Sequence, residues 1–246
     1  MAAGAPVHGL GAVGGFGEFR VAPERIDGNY RNFGDVAVGH QGQVLVSYQT
    51  GTAAEGPAEI ITQLDPDGLG PEPFGAAVVA APVHVGANLK IPAQNERTID
   101  AEGNLAWDTS DGVHRGRVFL VYTDSPAVGS ADTDIFLRYS DDNGQHWSEP
   151  IQVNDDDSLS QFLPSVAVDS SSGNVGVGWH TATSTDNVQT RFAATLSDDG
   201  GSTFRLAYEV SPEDSDATEP ALDEGGKAFQ YGDYTGLAFV DGVLQP

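Results

Sequence analysis

The chain has 246 residues, enough for one large all-β domain or two small ones. Its 11 Lys and Arg against 36 Asp and Glu give a net charge of −25, a surface that repels nucleic acid and anionic membranes and favours cations such as Ca²⁺. The absence of cysteine excludes disulfides, zinc thiolates and a cysteine nucleophile.

Residues 1–18 are rich in Gly and Ala without periodicity and read as an irregular leader, with no basic and apolar signal-peptide pattern. Residues 19–246 read as one β domain. The first unit has strands at 35–39 and 43–48 around Gly42, a third at 58–64 and a fourth at 74–81. The second has strands at 104–108, 116–124, 134–140 and 151–153; the third repeats it at 164–169, 174–180, 189–197 and 206–210. A fourth unit begins at 232–239 and turns at Asp241 and Gly242. Apolar and polar residues alternate, as at Val175, Val177 and Trp179, which marks half-buried strands rather than helices. No run of 18 apolar residues predicts a transmembrane helix.

Units two and three each carry the same eight-residue pattern, beginning at the last residue of their third strand. Ser140, Asp142, Gly144 and Trp147 match Ser197, Asp199, Gly201 and Phe204, with the serines 57 residues apart. The apolar strands at 118–122 and 175–179 precede them by the same distance. A period near 50 residues with several short strands per unit predicts a propeller blade. The Asp suits an Asx-type turn, the Gly a left-handed backbone, and the ring an inter-sheet anchor. In unit one Asp65, Asp67 and Gly68 stand at the corresponding place, without the Ser and without the spacing.

These two strings resemble the Asp-box, or BNR repeat, of sialidase-like β-propellers, and the resemblance covers roughly 35–246. It implies an all-β propeller of four-stranded antiparallel blades. About four blades are represented, as part of a six- or seven-bladed ring, since six blades at this period need about 340 residues. The sialidases of this group carry an Arg-Ile-Pro motif, a triad of arginines, a Tyr nucleophile activated by a Glu, and an Asp acid/base. The nearest strings here are Arg25, Ile26, Asp27 and Lys90, Ile91, Pro92. Neither reproduces the motif, and no complete triad or Tyr–Glu pair matches position by position.

In such propellers ligands meet the face opposite the boxes. The loops expected there supply candidate ligand-binding residues Arg97, Asp124, Tyr231, Asp233 and Tyr234, set against their readings as ion-pair or packing residues. Asp132, Asp134, Asn154, Asp155 and Asp157 are candidate Ca²⁺ ligands, although they lack the alternating spacing of an EF-hand loop. No cofactor is required. His180 has no partner at metal spacing and reads as structural.

Three functions fit this sequence. The first is an extracellular or cell-surface module that recognises carbohydrate without a complete catalytic kit. The second is an exo-sialidase or related glycosidase whose remaining residues lie in further blades. The third is a structural or protein-binding propeller.

Overall fold

The computed structural model describes residues 2–5, 13–21, 31–51, 53–155, 158–218 and 230–246. All of its regular structure is β. Blade one contains β1 (Arg31–Val38), β2 (Val44–Thr50), β3 (Ala58–Asp65) and β4 (Val78–Val83), in that spatial order and antiparallel. A small hairpin follows, β5 (Leu89–Ile91) with β6 (Gln94–Ile99). Blade two is β7 (Asn104–Trp107), β8 (Val118–Asp124), β9 (Asp134–Ser140) and β10 (Ile151–Gln152). Blade three is β11 (Gln161–Val168), β12 (Val175–Ala182), β13 (Gln189–Ser197) and β14 (Tyr208–Glu209), with β15 (Ser215–Asp216) also pairing β13. A last hairpin joins β16 (Ala238–Val240) to β17 (Val243–Gln245).

The first strands of successive units, β1, β7, β11 and β16, lie side by side. Two bridges tie them laterally. Asp35 Oδ2 accepts from Asn104 Nδ2 at 2.7 Å and from the Leu105 amide at 2.8 Å, and Asn104 Oδ1 accepts from the Val166 amide at 2.8 Å. One core packs blades one and two together, through Leu45, Ile60, Leu105, Leu120 and Tyr122. A second joins blades two and three, through Phe119, Leu137, Val175, Val177 and Trp179. Arg117 reinforces the second junction: it grips Asp141 through two N–H groups, donates to the Gly200 carbonyl at 2.8 Å and lies 3.9 Å from the Tyr139 ring centroid.

The repeated turns close the third strands. Ser140 Oγ accepts from the Gly144 amide at 2.8 Å, and Asp142 Oδ1 accepts from the Gln145 and His146 amides. Ser197 Oγ and Asp199 Oδ1 do the same for Gly201, Ser202 and Thr203. Gly144 and Gly201 both have φ near +81°, where a side chain is strained. Trp147 packs on the core shared with blade one, Phe204 on the core shared with blade two. Asp142→Ala and Asp199→Ala are each expected to cost about 1 kcal/mol in urea denaturation, since the orphaned amides lie near water.

Blade one corrects the sequence reading. The same turn is present there, built on a different string. Asp65 occupies the place of the Ser: it pairs with Val44 as Ser140 pairs with Val118 and Ser197 with Val175. Its Oδ1 accepts from the amides of Asp67 at 3.3 Å and Leu69 at 2.9 Å, and Asp67 Oδ1 accepts from Gly70. Leu69 takes φ +66° where the other turns have Gly. Phe74 is the aromatic anchor, displaced by two residues. The amide that follows it, Gly75, bonds the Leu64 carbonyl, as Ser148 bonds Tyr139 and Arg205 bonds Leu196. Residues 74–77 are therefore not the start of the fourth strand, which begins at Val78. Asp65 Oδ2 is buried without a partner. Asp65→Ser, which restores the hydroxyl of the other turns, is expected to be neutral or stabilising by up to about 1 kcal/mol in the same assay.

The connection after blade one was expected as loop and instead holds β5 and β6. The fourth unit's strand is shorter than 232–239, covering Ala238–Val240. Ala2, in the leader, exchanges two backbone hydrogen bonds with Arg20, at 2.8 and 2.7 Å.

Candidate functional site

The turns fix one end of every sheet. Trp107, Val118 and Ser140 are in register at that end, whereas Asp124 and Asp134 pair at the other. The segments leading into β7 and β16 therefore meet at the end away from the turns. A recurrent backbone device shapes that end. Phe33, Glu102 and Leu163 all take a positive φ, at 52°, 43° and 53°, each two residues before the residue that bridges to a neighbouring strand (Asp35, Asn104) or its counterpart Ser165. Such a φ is costly for a side-chain-bearing residue and turns the chain sharply into the strand. Blades one and three place Phe and Leu at this kink. Blade two places a carboxyl.

Glu102 is 5% exposed and Asp100 is 6% exposed. The Glu102 amide donates to Asp100 Oδ1 at 2.7 Å, and the Thr235 amide donates to the Glu102 carboxyl. Glu102 Oε2 is buried without a hydrogen-bond partner. Burial, then the neighbouring charges of Asp100, Asp233 and Asp35, push the Glu102 carboxyl up to about 10. Burial pushes Asp100 up to about 7, with Asp233 adding to it. Burial also raises Asp35, against hydrogen bonds from Leu105 and Val36.

The segment 230–235 completes the cluster. Arg97, on β6, forms a two-pronged ion pair with Asp233 through Nε and Nη2, and its Nη1 reaches Gln230 Oε1 at 3.3 Å. Gln94 donates to the Gly232 carbonyl and accepts from the Tyr231 amide at 3.1 Å. Tyr231 packs its ring at 5.5 Å from Phe162 and 4.7 Å from His180, and its hydroxyl meets Thr190 and Ser215. Tyr234 is 60% exposed. Partial burial and then Asp100, Glu102, Asp233 and Asp35 raise its phenol, which stays protonated at neutral pH.

Of the residues singled out in the sequence, Arg97, Asp233 and Tyr234 come together. Tyr231 is adjacent but built into the aromatic packing of blade three. Asp124 belongs to another contact set: its Oδ1 accepts from the His84 and Ser125 amides at 2.7 and 2.8 Å. Asp134 accepts from Asn154 and Gln152, and Asn154 Oδ1 accepts from the Ile135 amide. Asp155 is exposed, Asp132 Oδ1 is buried without a partner, and Asp157 lies outside the described residues. The string at 25–27 also lies outside them. Among the described residues no three His, Asp or Glu side chains form a group that could hold a metal ion. Asp35, Asp100, Glu102 and Gln94 were missed. The signal for Glu102 was an acidic residue at the aligned position where blades one and three carry Phe33 and Leu163.

These blades, laid side by side with their turns at one end, define a β-propeller architecture, here, among the described residues, three blades built on four strands each and two further hairpins. No protein-family model matches the chain, and no curated protein matches it in sequence. Solved structures share its fold. NanB, in a structure with optactamide, superposes with a TM-score of 0.51 at 12% identity, over 78% of this chain and 46% of its own. A Hadza microbial sialidase gives 0.49 at 13% identity, over 71% and 36%. The GH93 α-L-arabinofuranosidase of Fusarium graminearum gives 0.48 at 14%, over 79% and 52%. The chain thus spans between 36% and 52% of the length of those three proteins. Among the described residues no helix is long and apolar enough to cross a membrane.

Proposed function

We propose that this chain is a carbohydrate-recognising propeller module of the Asp-box type, using the sheet end opposite its repeated turns. One observation carries the reading: an exposed aromatic ring, Tyr234, stands within electrostatic reach of the buried carboxyls Asp100 and Glu102, on a segment pinned by Arg97 and Gln94. Sugars offer an apolar C–H face and a rim of hydroxyls. The first suits an aromatic surface, the second suits carboxyl and amide groups that both donate and accept. An extracellular or cell-surface location goes with this reading.

The electrostatics favour recognition over nucleophilic chemistry at this site. A Tyr nucleophile needs an ionised base beside it or a depressed pKa. Tyr234 has neighbours that raise its phenol, and Glu102 is itself protonated at neutral pH. Arg97, the guanidinium nearest in role to a carboxylate clamp, is committed to Asp233.

A glycan array of neutral and charged oligosaccharides tests the reading. Binding is expected, with Tyr234→Ala weakening it about tenfold while the melting temperature holds. An array without any ligand would overturn it. So would turnover of a fluorogenic sialoside that Tyr234→Phe abolishes, which would return the exo-sialidase reading.

A further inference from the structure

We propose that Asn143 is a latent deamidation site. The repeated turn of blade two holds its Asn-Gly step closed to cyclisation, and opening of that turn exposes the step to conversion into aspartate or isoaspartate.

The chain has one Asn-Gly step, Asn143 followed by Gly144, and it lies inside the turn. In the blade-three turn the aligned residue is Gly200, which offers no side-chain carbonyl to attack. The reaction needs water and no other reagent. The Gly144 nitrogen bonds to Asn143 Cγ as the Cγ–N bond of the side-chain amide breaks, and the Gly144 amide proton leaves with that amino group as ammonia. Water then opens the five-membered ring at either carbonyl, giving aspartate or isoaspartate. A following glycine favours the attack because no Cβ shields its nitrogen.

The folded turn restrains both reacting atoms. The Gly144 amide donates to Ser140 Oγ at 2.8 Å, and that hydroxyl donates to Asp142 Oδ1 at 2.8 Å. Asp142 Oδ1 also takes the Gln145 and His146 amides, at 3.1 and 2.9 Å, which pins the backbone beyond Gly144. On the side of the electrophile, Asn143 Oδ1 accepts from Gln43 Nε2 at 3.1 Å, across the junction with blade one. Gln43 is buried, and its Oε1 accepts from the Gln41 amide at 2.9 Å. Gly144 is buried too, and a Cβ there would lie 3.2 Å from Leu45 Cδ1, which leaves its peptide plane little room to rotate. Attack requires the amide to leave Ser140 and the side chain to leave Gln43 together, and that is a local opening of the turn.

Conversion runs one way. Isoaspartate carries the main chain through Cβ and so adds one backbone atom between positions 143 and 144. The Gly144 amide then no longer meets Ser140 Oγ in register, and Gly144 loses its seat on Leu45, a residue of the core shared by blades one and two. A transient opening at this junction becomes a permanent loosening.

Ageing the full chain at mildly alkaline pH tests this, with conversion read by peptide mass mapping and released ammonia. A capped peptide of residues 140–147 gives the unrestrained rate. The folded chain is expected to convert at least about a hundredfold more slowly, by the same factor that slows hydrogen exchange at the Gly144 amide. Guanidinium below the unfolding transition is expected to raise both rates in proportion. Gln43→Ala is expected to raise conversion about threefold or more, and Ser140→Ala to bring it within about tenfold of the peptide. Asn143→Gly, which copies the blade-three turn, is expected to abolish it. Conversion as fast as in the peptide, or slowed far less than amide exchange, means that cyclisation runs in the closed turn and overturns the proposal. So does a rate unchanged in both Gln43→Ala and Ser140→Ala. Circular dichroism reports the folding of each variant, and if Ser140→Ala unfolds, the exchange comparison in the native chain decides.

Discussion

Glu102→Gln is expected to stabilise the fold at pH 7 and to destabilise it by about 1 kcal/mol at pH 4. The sign follows from where the proton sits. In the folded chain, burial and then the charge of Asp100 push this carboxyl from its ordinary 4.5 up to about 10. Below pH 4.5 both folded and unfolded chains hold the proton, and the group contributes no difference. Between 4.5 and 10 the unfolded chain ionises and the folded chain does not. Each pH unit in that window then costs the native state about 1.4 kcal/mol, or about 3 kcal/mol by pH 7. Glutamine has no proton to lose, so the penalty vanishes. Its amide inherits an unmet hydrogen bond worth about 1 kcal/mol, which leaves a net gain of about 2 kcal/mol at pH 7. Urea midpoints at the two pH values check it. A loss of stability at pH 7, or an equal gain at both, would show that Glu102 is held ionised. A carboxyl that weakens its own fold points to a use other than folding.

The propeller was legible in the sequence because its determinants are local. Alternation reports one strand at a time: Val175, Val177 and Trp179 are buried as their spacing requires, although Gly176 and Gly178 between them are buried as well, so β12 is not the half-buried strand expected. The two turns at Ser140 and Ser197 are strings of eight residues whose chemistry is complete within the string. The third turn was not legible for a physical reason. A carboxylate oxygen can accept the same backbone bonds as a hydroxyl, so Asp65 replaces Ser without changing the turn, and a two-residue insertion moves the aromatic to Phe74. A string comparison fails at both places, whereas the hydrogen-bond plan survives.

The carboxyl cluster is the opposite case. Asp35, Asp100, Glu102 and Asp233 come from three segments of the chain, and only the side-by-side placing of β1, β7, β11 and β16 gathers them. Arg97 pairs with a residue 136 positions away. In a chain of net charge −25 an acidic residue carries little information singly. What distinguishes Glu102 is its burial and its alignment with Phe33 and Leu163, and both belong to the assembled fold.

Acid acts on the same site through a different residue. His180 lies stacked at 5.4 Å on Phe162, edge-on to Phe192 at 5.3 Å and 4.7 Å from the Tyr231 ring. Burial among these rings lowers its imidazole from 6.5 to about 4. Above pH 6.5 the ring is neutral in both folded and unfolded chains. As pH falls from 6.5 to 4, the unfolded chain takes up a proton that the folded chain refuses. The native state therefore loses up to about 3 kcal/mol across that window, and the loss levels off below pH 4. The carboxylates of the repeated turns act lower. Although burial alone would raise Asp142 and Asp199, hydrogen bonds from His146 and from Thr203 bring them down to about 2, so their contribution fades below the ordinary 3.8. Glu102 has the opposite slope over the upper part of this range. The difference between the native chain and His180→Phe isolates the histidine, since Phe keeps the stacking and cannot take a proton. That difference is expected to shift by about 3 kcal/mol between pH 7 and pH 4 in urea denaturation. Tyr231 carries the effect to the segment 230–235: its ring rests on His180, and its amide is held by Gln94, the residue that also binds Gly232. Protonation of His180 should therefore loosen the segment bearing Asp233 and Tyr234 before the sheets melt, seen as hydrogen exchange rising first at 231–235 near pH 4. A His180→Phe variant with the same acid slope as the native chain would assign the lability to other groups.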